Sequence, residues 1–208
     1  EMALGLGLML GLRLPLNFNS PYKAVNIVDF WRRWHITLSE FLRDYLYKPL
    51  GGNRLGVNRG VFNVMLVMIL GGLWHGAGWT FIMWGFIHGC MIGIYHFFRG
   101  LSQNKAPKNS TLLGNLLASF VTFVVVNVAW VFFRSEKMDS AFGMIKSLIG
   151  LNGISLPRSF DFLPQGKLVS FTGLFPNQAI DIGLLGFLPF LLVIVWFAPN
   201  AYQLIGLN

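Results

Sequence analysis

Apolar residues come along this chain in blocks divided by short polar, Gly- and Pro-bearing intervals, and the period inside each block differs. Residues 2 to 12 are apolar throughout, with Gly7 and Gly11 at the small-xxx-small spacing of close-packed membrane helices, and Arg13 and Pro15 end the run. The pattern predicts the end of a transmembrane helix over residues 1–14, followed by a loop through "NFNSPYKAVN". From Asn26 to Lys48 the period becomes amphipathic. At about 100° per residue, Ile27, Trp31, Trp34, Leu38, Phe41, Leu42 and Tyr45 share one face and Asp29, Arg33, Glu40, Arg43 and Asp44 the other. One amphipathic helix is expected over residues 26–48, capped by Asn26 and ended by Pro49 and Gly51-Gly52. Residues 61–98 are almost continuously apolar and predict a re-entrant or transmembrane pair divided at His75-Gly76-Ala77-Gly78. The first limb holds about 14 apolar residues, roughly 21 Å of helix, which is short for a crossing and puts His75 inside the hydrocarbon layer or at the floor of a cavity. The second limb carries Gly85, Gly89 and Gly93 as a close-packing stripe. Further spans are expected over 112–133 and 180–197, with a short amphipathic helix after the first and a loop over 151–178.

Composition places these blocks in a membrane. The chain is 54% hydrophobic and 12% charged, with a mean hydropathy of +0.59. Its 16 Lys and Arg against 8 Asp and Glu sit in the gaps between apolar runs. That placement fits cytoplasmic loops, such as the one marked by Arg99, Lys105 and Lys108, and a membrane-lipid environment, and it argues against a nucleic-acid partner. The single cysteine, Cys90, excludes a disulfide framework and a Cys-rich metal site. The chain opens without an initiator Met, an n-region or a cleavage site, so no signal peptide is expected and the residues read as the C-terminal half of a longer polytopic protein.

An ionisable residue at membrane depth is a candidate for function, and His75 in "GGLWHGAGW" is the first of these. A desolvated neutral imidazole can take a proton from a hydroxyl, and the flanking glycines admit a substrate; equally, His75 can fasten a re-entrant turn to a loop carbonyl. His35 lies at the edge of the amphipathic face beside Trp31 and Leu38, where packing is the commoner role. His88 and His96 stand about 80° apart around one helix, with no HExxH and no acidic ligand nearby, so no metal site is expected. Cys90 lacks an adjacent base and reads as packing. Gly51-Gly52-Asn53-Arg54 reads as a turn before a phosphate nest, and Asn109-Ser110-Thr111 as a glycosylation triplet on the wrong side of the membrane.

"NFNSPYKAVNIVDFWRRWHITLSEFLRDYLYKPLGGNR" followed by "MILGGLWHGAGWTFIMWGFIHG" resembles the membrane-bound O-acyltransferase superfamily, in its bacterial alginate O-acetyltransferase branch. The likeness runs from residue 1 to about 150 and includes "AWVFFR". It implies an all-α polytopic membrane bundle around a central funnel, with His75 in the catalytic WHG position and His35 in the WRRWH position as the second family-typical histidine. It further implies an acyl donor, acetyl-CoA or another thioester, and no tightly bound cofactor. The partners implied are a polysaccharide acceptor such as alginate or a periplasmic acetyltransferase, and the location is the bacterial cytoplasmic (inner) membrane, crossed several times. Three competitors stand beside this expectation: D-alanyl transfer for teichoic acids, a transporter with its broken helix at 75 to 78, and a scaffolding subunit in which the histidines only pack.

Overall fold

The structure, a computed structural model, describes residues 2–101, 111–152, 154–156, 169–171 and 178–205. They fall into two compact units, one of residues 1–134 with 199–208 and one of residues 135–198. Three helices of the first unit are long and apolar enough to cross a membrane: α4 (Val57–His75), α5 (Trp79–Leu101) and α6 (Leu112–Arg134). Ahead of them come α1 (Met2–Met9), a 3-10 turn (Pro21–Lys23), α2 (Ile27–Arg33), α3 (Ile36–Leu42) and a turn of π-helix (Arg43–Tyr47).

α4 and α5 form an antiparallel hairpin, and the expected glycine stripe is its seam. A Cβ on Gly85 would strike the Met68 carbonyl oxygen, and one on Gly89 would lie 3.1 Å from the Met65 Cα. Small residues let the two backbones meet directly, which is how membrane helices gain packing energy without a hydrophobic drive. The chain turns at Gly76, where a Cβ would collide with the Phe81 ring, so the divider lies where the sequence places it. The first limb is longer than its apolar run. α4 begins at Val57 and spans 19 residues, about 28 Å, which carries His75 to the far end of a crossing rather than to its middle.

Two other expectations change. The helix over 1–14 stops at Met9, because Gly11 adopts φ 75° and the amide of Leu12 donates to the Gly7 carbonyl at 2.8 Å, a C-terminal cap. Gly11 therefore ends the helix instead of packing it against a neighbour. The single helix over 26–48 is broken at His35, which sits at φ 43° in the left-handed region between α2 and α3. The break interrupts the periodicity, so Phe30 is buried while Phe41 and Tyr45, assigned to the apolar face, are 53% and 68% exposed. The core of this unit is Ala24, Ile27, Phe30, Met68, Ile92 and Val126.

α2 runs along α5, with Ile27 beside Met91 and Tyr95 and Trp31 beside Trp84 and His88. The chain then reverses. Leu42 packs on Gly71 of α4, Tyr47 lies beside Gly60, and Asn63 donates to the carbonyls of Leu50 at 3.0 Å and Gly52 at 2.8 Å. Residues 26–48 thus make a helical hairpin that enters from the Arg59–Arg99 end of the bundle and has His35 at its tip. α9 (Ala201–Ile205) belongs to this unit, and before it Asn200 donates to Asn19 and Ser20, both at 3.0 Å.

The second unit contains α7 (Met138–Leu148), the amphipathic connector helix, and α8 (Gln178–Phe197), which covers the expected last span and is apolar over Phe187–Phe197. The expected loop over 151–178 holds one local surprise, a parallel pairing of β1 (Ile154–Leu156) with β2 (Val169–Phe171). Apart from these two three-residue strands the described chain is helical, an all-α membrane fold. Lys105, Lys108, Asn109 and Ser110 lie outside the described residues.

Candidate active site

The tip of the 26–48 hairpin is braced by the extended segment before it. Asn17 accepts from the Thr37 amide at 3.2 Å and the Thr37 hydroxyl at 2.7 Å, and its own carbonyl accepts from the Ile36 amide at 3.0 Å. The Asn19 amide donates to the Arg33 carbonyl at 2.9 Å. Between these clamps His35 has little freedom. A left-handed φ costs a Cβ-bearing residue about 1–2 kcal/mol, and the bracing bonds on both sides supply it.

The same bracing aims the imidazole. Phe18 and His35 lie with ring centroids 6.1 Å apart, Phe18 meets Trp34 edge-on at 4.9 Å, and Trp34 contacts Trp130 of α6 at 5.0 Å. The Nδ1 of His35 is buried with no hydrogen-bond partner among the described residues. His75, at the C-terminus of α4, is half-buried and lies at the same end of the bundle as His35, since Phe133, one turn beyond Trp130 on α6, contacts its ring at 5.1 Å. The structure therefore places at one end of the bundle two histidines 40 residues apart in sequence, one from the hairpin tip and one from the α4–α5 break.

An aromatic cage surrounds His75. Trp74, Trp84 and Phe133 meet it edge-on at 5.0, 5.5 and 5.1 Å, and Trp84 and Phe133 touch each other at 5.3 Å. Trp84 and Phe133 wall the ring on the protein side, while Trp74 is 69% exposed and leaves the other side open. Trp84 and Phe133 carry no local signal of this role, because their contact with His75 comes from helices that meet only in the fold. His88 is interior, a third histidine behind Trp84, and His96 is exposed near the basic end of α5. No three His, Cys, Asp or Glu side chains gather into a metal-holding group among the described residues. Gly51-Gly52 is a turn fastened to α4 by Asn63, and Cys90 is half-buried.

A cleft of about 380 Å³ lies between the two limbs of the hairpin and α4–α5, lined by Trp31, Arg32, Ser39, Arg43, Val67 and His96 among others. At the basic end it adjoins a pocket of about 230 Å³ bordered by Tyr47, Asn53, His96 and Arg99. Around the cleft, Arg43 and Lys48 both bond Asp44 and hold its carboxyl well below the usual carboxylate range, with the Arg43 hydrogen bond the larger cause. Burial pushes the Tyr47 phenol up. The cleft is thus polar at its basic mouth and apolar along the α4 wall of Val64, Val67 and Met68.

Residues 1–134, which contain the hairpin, both histidines and the three long helices, match the model of the membrane-bound O-acyltransferase family. Over 156 residues the chain is 50% identical to a peptidoglycan O-acetyltransferase of Helicobacter pylori, covering 75% of this chain and 29% of that protein. It is 47% identical over 156 residues to a probable alginate O-acetylase of Azotobacter vinelandii, covering 75% and 30%. A teichoic acid D-alanyltransferase of Bacillus subtilis is more distant, 33% identical over 144 residues covering 64% and 36%. The chain spans less than a third of the length of the first two. With a match that takes in every element of the histidine site, the chain belongs to the membrane-bound O-acyltransferase family.

Proposed function

We propose that this chain is the histidine-bearing part of an O-acetyltransferase that moves acetyl from a cytoplasmic thioester toward hydroxyls of an extracytoplasmic polysaccharide, alginate or peptidoglycan being the acceptors named for its relatives. The observation that carries this reading is that His35 and His75 lie at the same end of the bundle, linked through Trp34, Trp130 and Phe133. Orientation follows from charge. Arg54, Arg59 and Arg99 lie at the end of the bundle from which the hairpin enters, the end that the positive-inside rule assigns to the cytoplasm of a bacterial inner membrane. The polar mouth at Asn53, His96 and Arg99 then suits a phosphate-bearing thioester donor, and the half-buried cage at His75 opens toward the acceptor. Charged side chains along the limbs of the hairpin are tolerated at membrane depth where they line water, so the hairpin serves as the wall of an aqueous funnel.

In the reaction, neutral His75 takes the proton of an acceptor hydroxyl as its oxygen attacks the thioester carbonyl carbon. The tetrahedral intermediate collapses with cleavage of the C–S bond, and the leaving thiolate takes the proton back from the imidazolium. His35 orients the donor or acceptor from the opposite side. The acceptor is either the polymer itself or a periplasmic acetyltransferase that relays the group.

The test presents thioester-bound radiolabelled acetyl to the cytoplasmic face of vesicles carrying the full-length protein, with polysaccharide on the other face. Label is expected on polysaccharide hydroxyls or on a co-expressed periplasmic partner. Transfer of D-alanine from a carrier protein in place of acetyl would reassign the donor, and solute flux without transfer would make the protein a transporter.

A further inference from the structure

His88 takes no part in the transfer steps above, yet it is the most completely enclosed ionisable side chain of the spanning helices, 1% exposed in the middle of α5. Its Nδ1 accepts a hydrogen bond from the Trp31 indole N–H at 3.3 Å, so the proton of the neutral ring sits on Nε2. Nε2 is buried and has no hydrogen-bond partner among the described residues. A side chain needed only to fill this space would be apolar, because leucine occupies a similar volume without stranding a buried N–H. What the polar ring supplies at this position is its acceptor nitrogen, which takes the indole N–H of Trp31.

The surroundings show what that bond holds in place. On one side His88 stacks on Phe30 at 6.1 Å and 16° and meets Trp31 edge-on at 5.2 Å, both on the limb of the hairpin that leads to His35. On the other side it meets Trp84, one turn earlier on α5, at 4.9 Å. Trp84 is the indole packed edge-on against His75 and also touches Trp31 at 5.9 Å. His88, Trp31 and Trp84 thus form a closed triangle with the hairpin at one corner and a wall of the His75 cage at another.

We propose that His88 is a positioning residue that keeps the hairpin and His75 in register, through its hydrogen bond from Trp31 and its contact with Trp84. The kinetic side of this inference rests on the acyl-transfer reading; the geometric side does not. Asparagine separates the roles, since its side-chain oxygen can replace Nδ1 as an acceptor but cannot carry a proton on and off in catalysis.

The experiment compares the full-length protein with H88N, H88L, W31F and the W31F/H88L double variant. It measures kcat and KM for the acetyl thioester, and separately the rate at which diethyl pyrocarbonate modifies His75, read by mass spectrometry. H88L is expected to lower kcat about tenfold or more with donor KM within about twofold, and to change the His75 modification rate about threefold or more. H88N should restore both to within about threefold of the parent, W31F should resemble H88L, and the double variant should be no worse than either single one. Folded H88N as impaired as H88L, a loss carried by KM alone, additive losses, or unchanged His75 reactivity in H88L would each overturn the inference. If the parent protein transfers no acetyl, the acyl-transfer reading fails, and the modification rates alone then decide the role of His88 in the same way.

Discussion

His35 carries two demands that pull in opposite directions. Its φ of 43° is one that glycine adopts freely and a residue with a Cβ only at a cost, yet the chain has an imidazole there with a buried Nδ1 unpartnered among the described residues. A residue selected for stability alone would be glycine. His35→Gly is therefore expected to leave the fold unharmed or stabilise it by up to about 1 kcal/mol, while transfer falls about tenfold or more. His35→Asn should keep the fold as well and lose transfer similarly. Thermal unfolding in detergent alongside turnover measures both, and a variant that is destabilised but turns over normally would assign His35 to packing.

At the scale of elements, the seam between α4 and α5 determines where His75 ends up. Gly85 meets the backbone of Met68, which cannot swing aside as a side-chain tip would, so Gly85→Ala should cost about 1–3 kcal/mol by overpacking. Gly143→Ala, on α7 with nothing near its missing Cβ, should be neutral or gain a few tenths to about 1 kcal/mol; melting temperatures in the same detergent compare the two. The seam and the turn were legible in the sequence because four-residue glycine spacing and the break at His75-Gly76-Ala77-Gly78 are local signals. The hairpin was not. Its break falls at a histidine flanked by Trp34 and Ile36, with no Gly or Pro, and the bonds that impose it come from Asn17 and Asn19, outside the periodic segment. Helical periodicity across 26–48 therefore read as one element. The aromatic cage was equally hidden, since Trp84 and Phe133 reach His75 only after three helices pack. α4 starts at Val57, ahead of the apolar run from Val61; Asn58 and Arg59 look like loop residues, but Arg59 lies over the Phe62 ring at 5.4 Å and is carried into the helix.

For the whole molecule, the spanning helices keep much apolar surface exposed. α6 exposes Leu112, Leu113 and Leu117, and the chain covers under a third of the length of its O-acetylating relatives. What this part holds is two histidines at one end of the bundle, one of them, His75, in an aromatic cage, and the proposed proton transfer falls to His75. That assignment also gives a pH dependence: transfer requires neutral His75, so the rate should fall as acidification protonates the imidazole. The most direct test is acetyl transfer to polysaccharide by full-length protein with His75 intact or changed to Ala or Gln, in membranes at matched expression and with unchanged thermal unfolding. Loss of about a hundredfold or more in both variants is the predicted result. Folded His75→Ala that transfers acetyl at the parent rate would contradict the account.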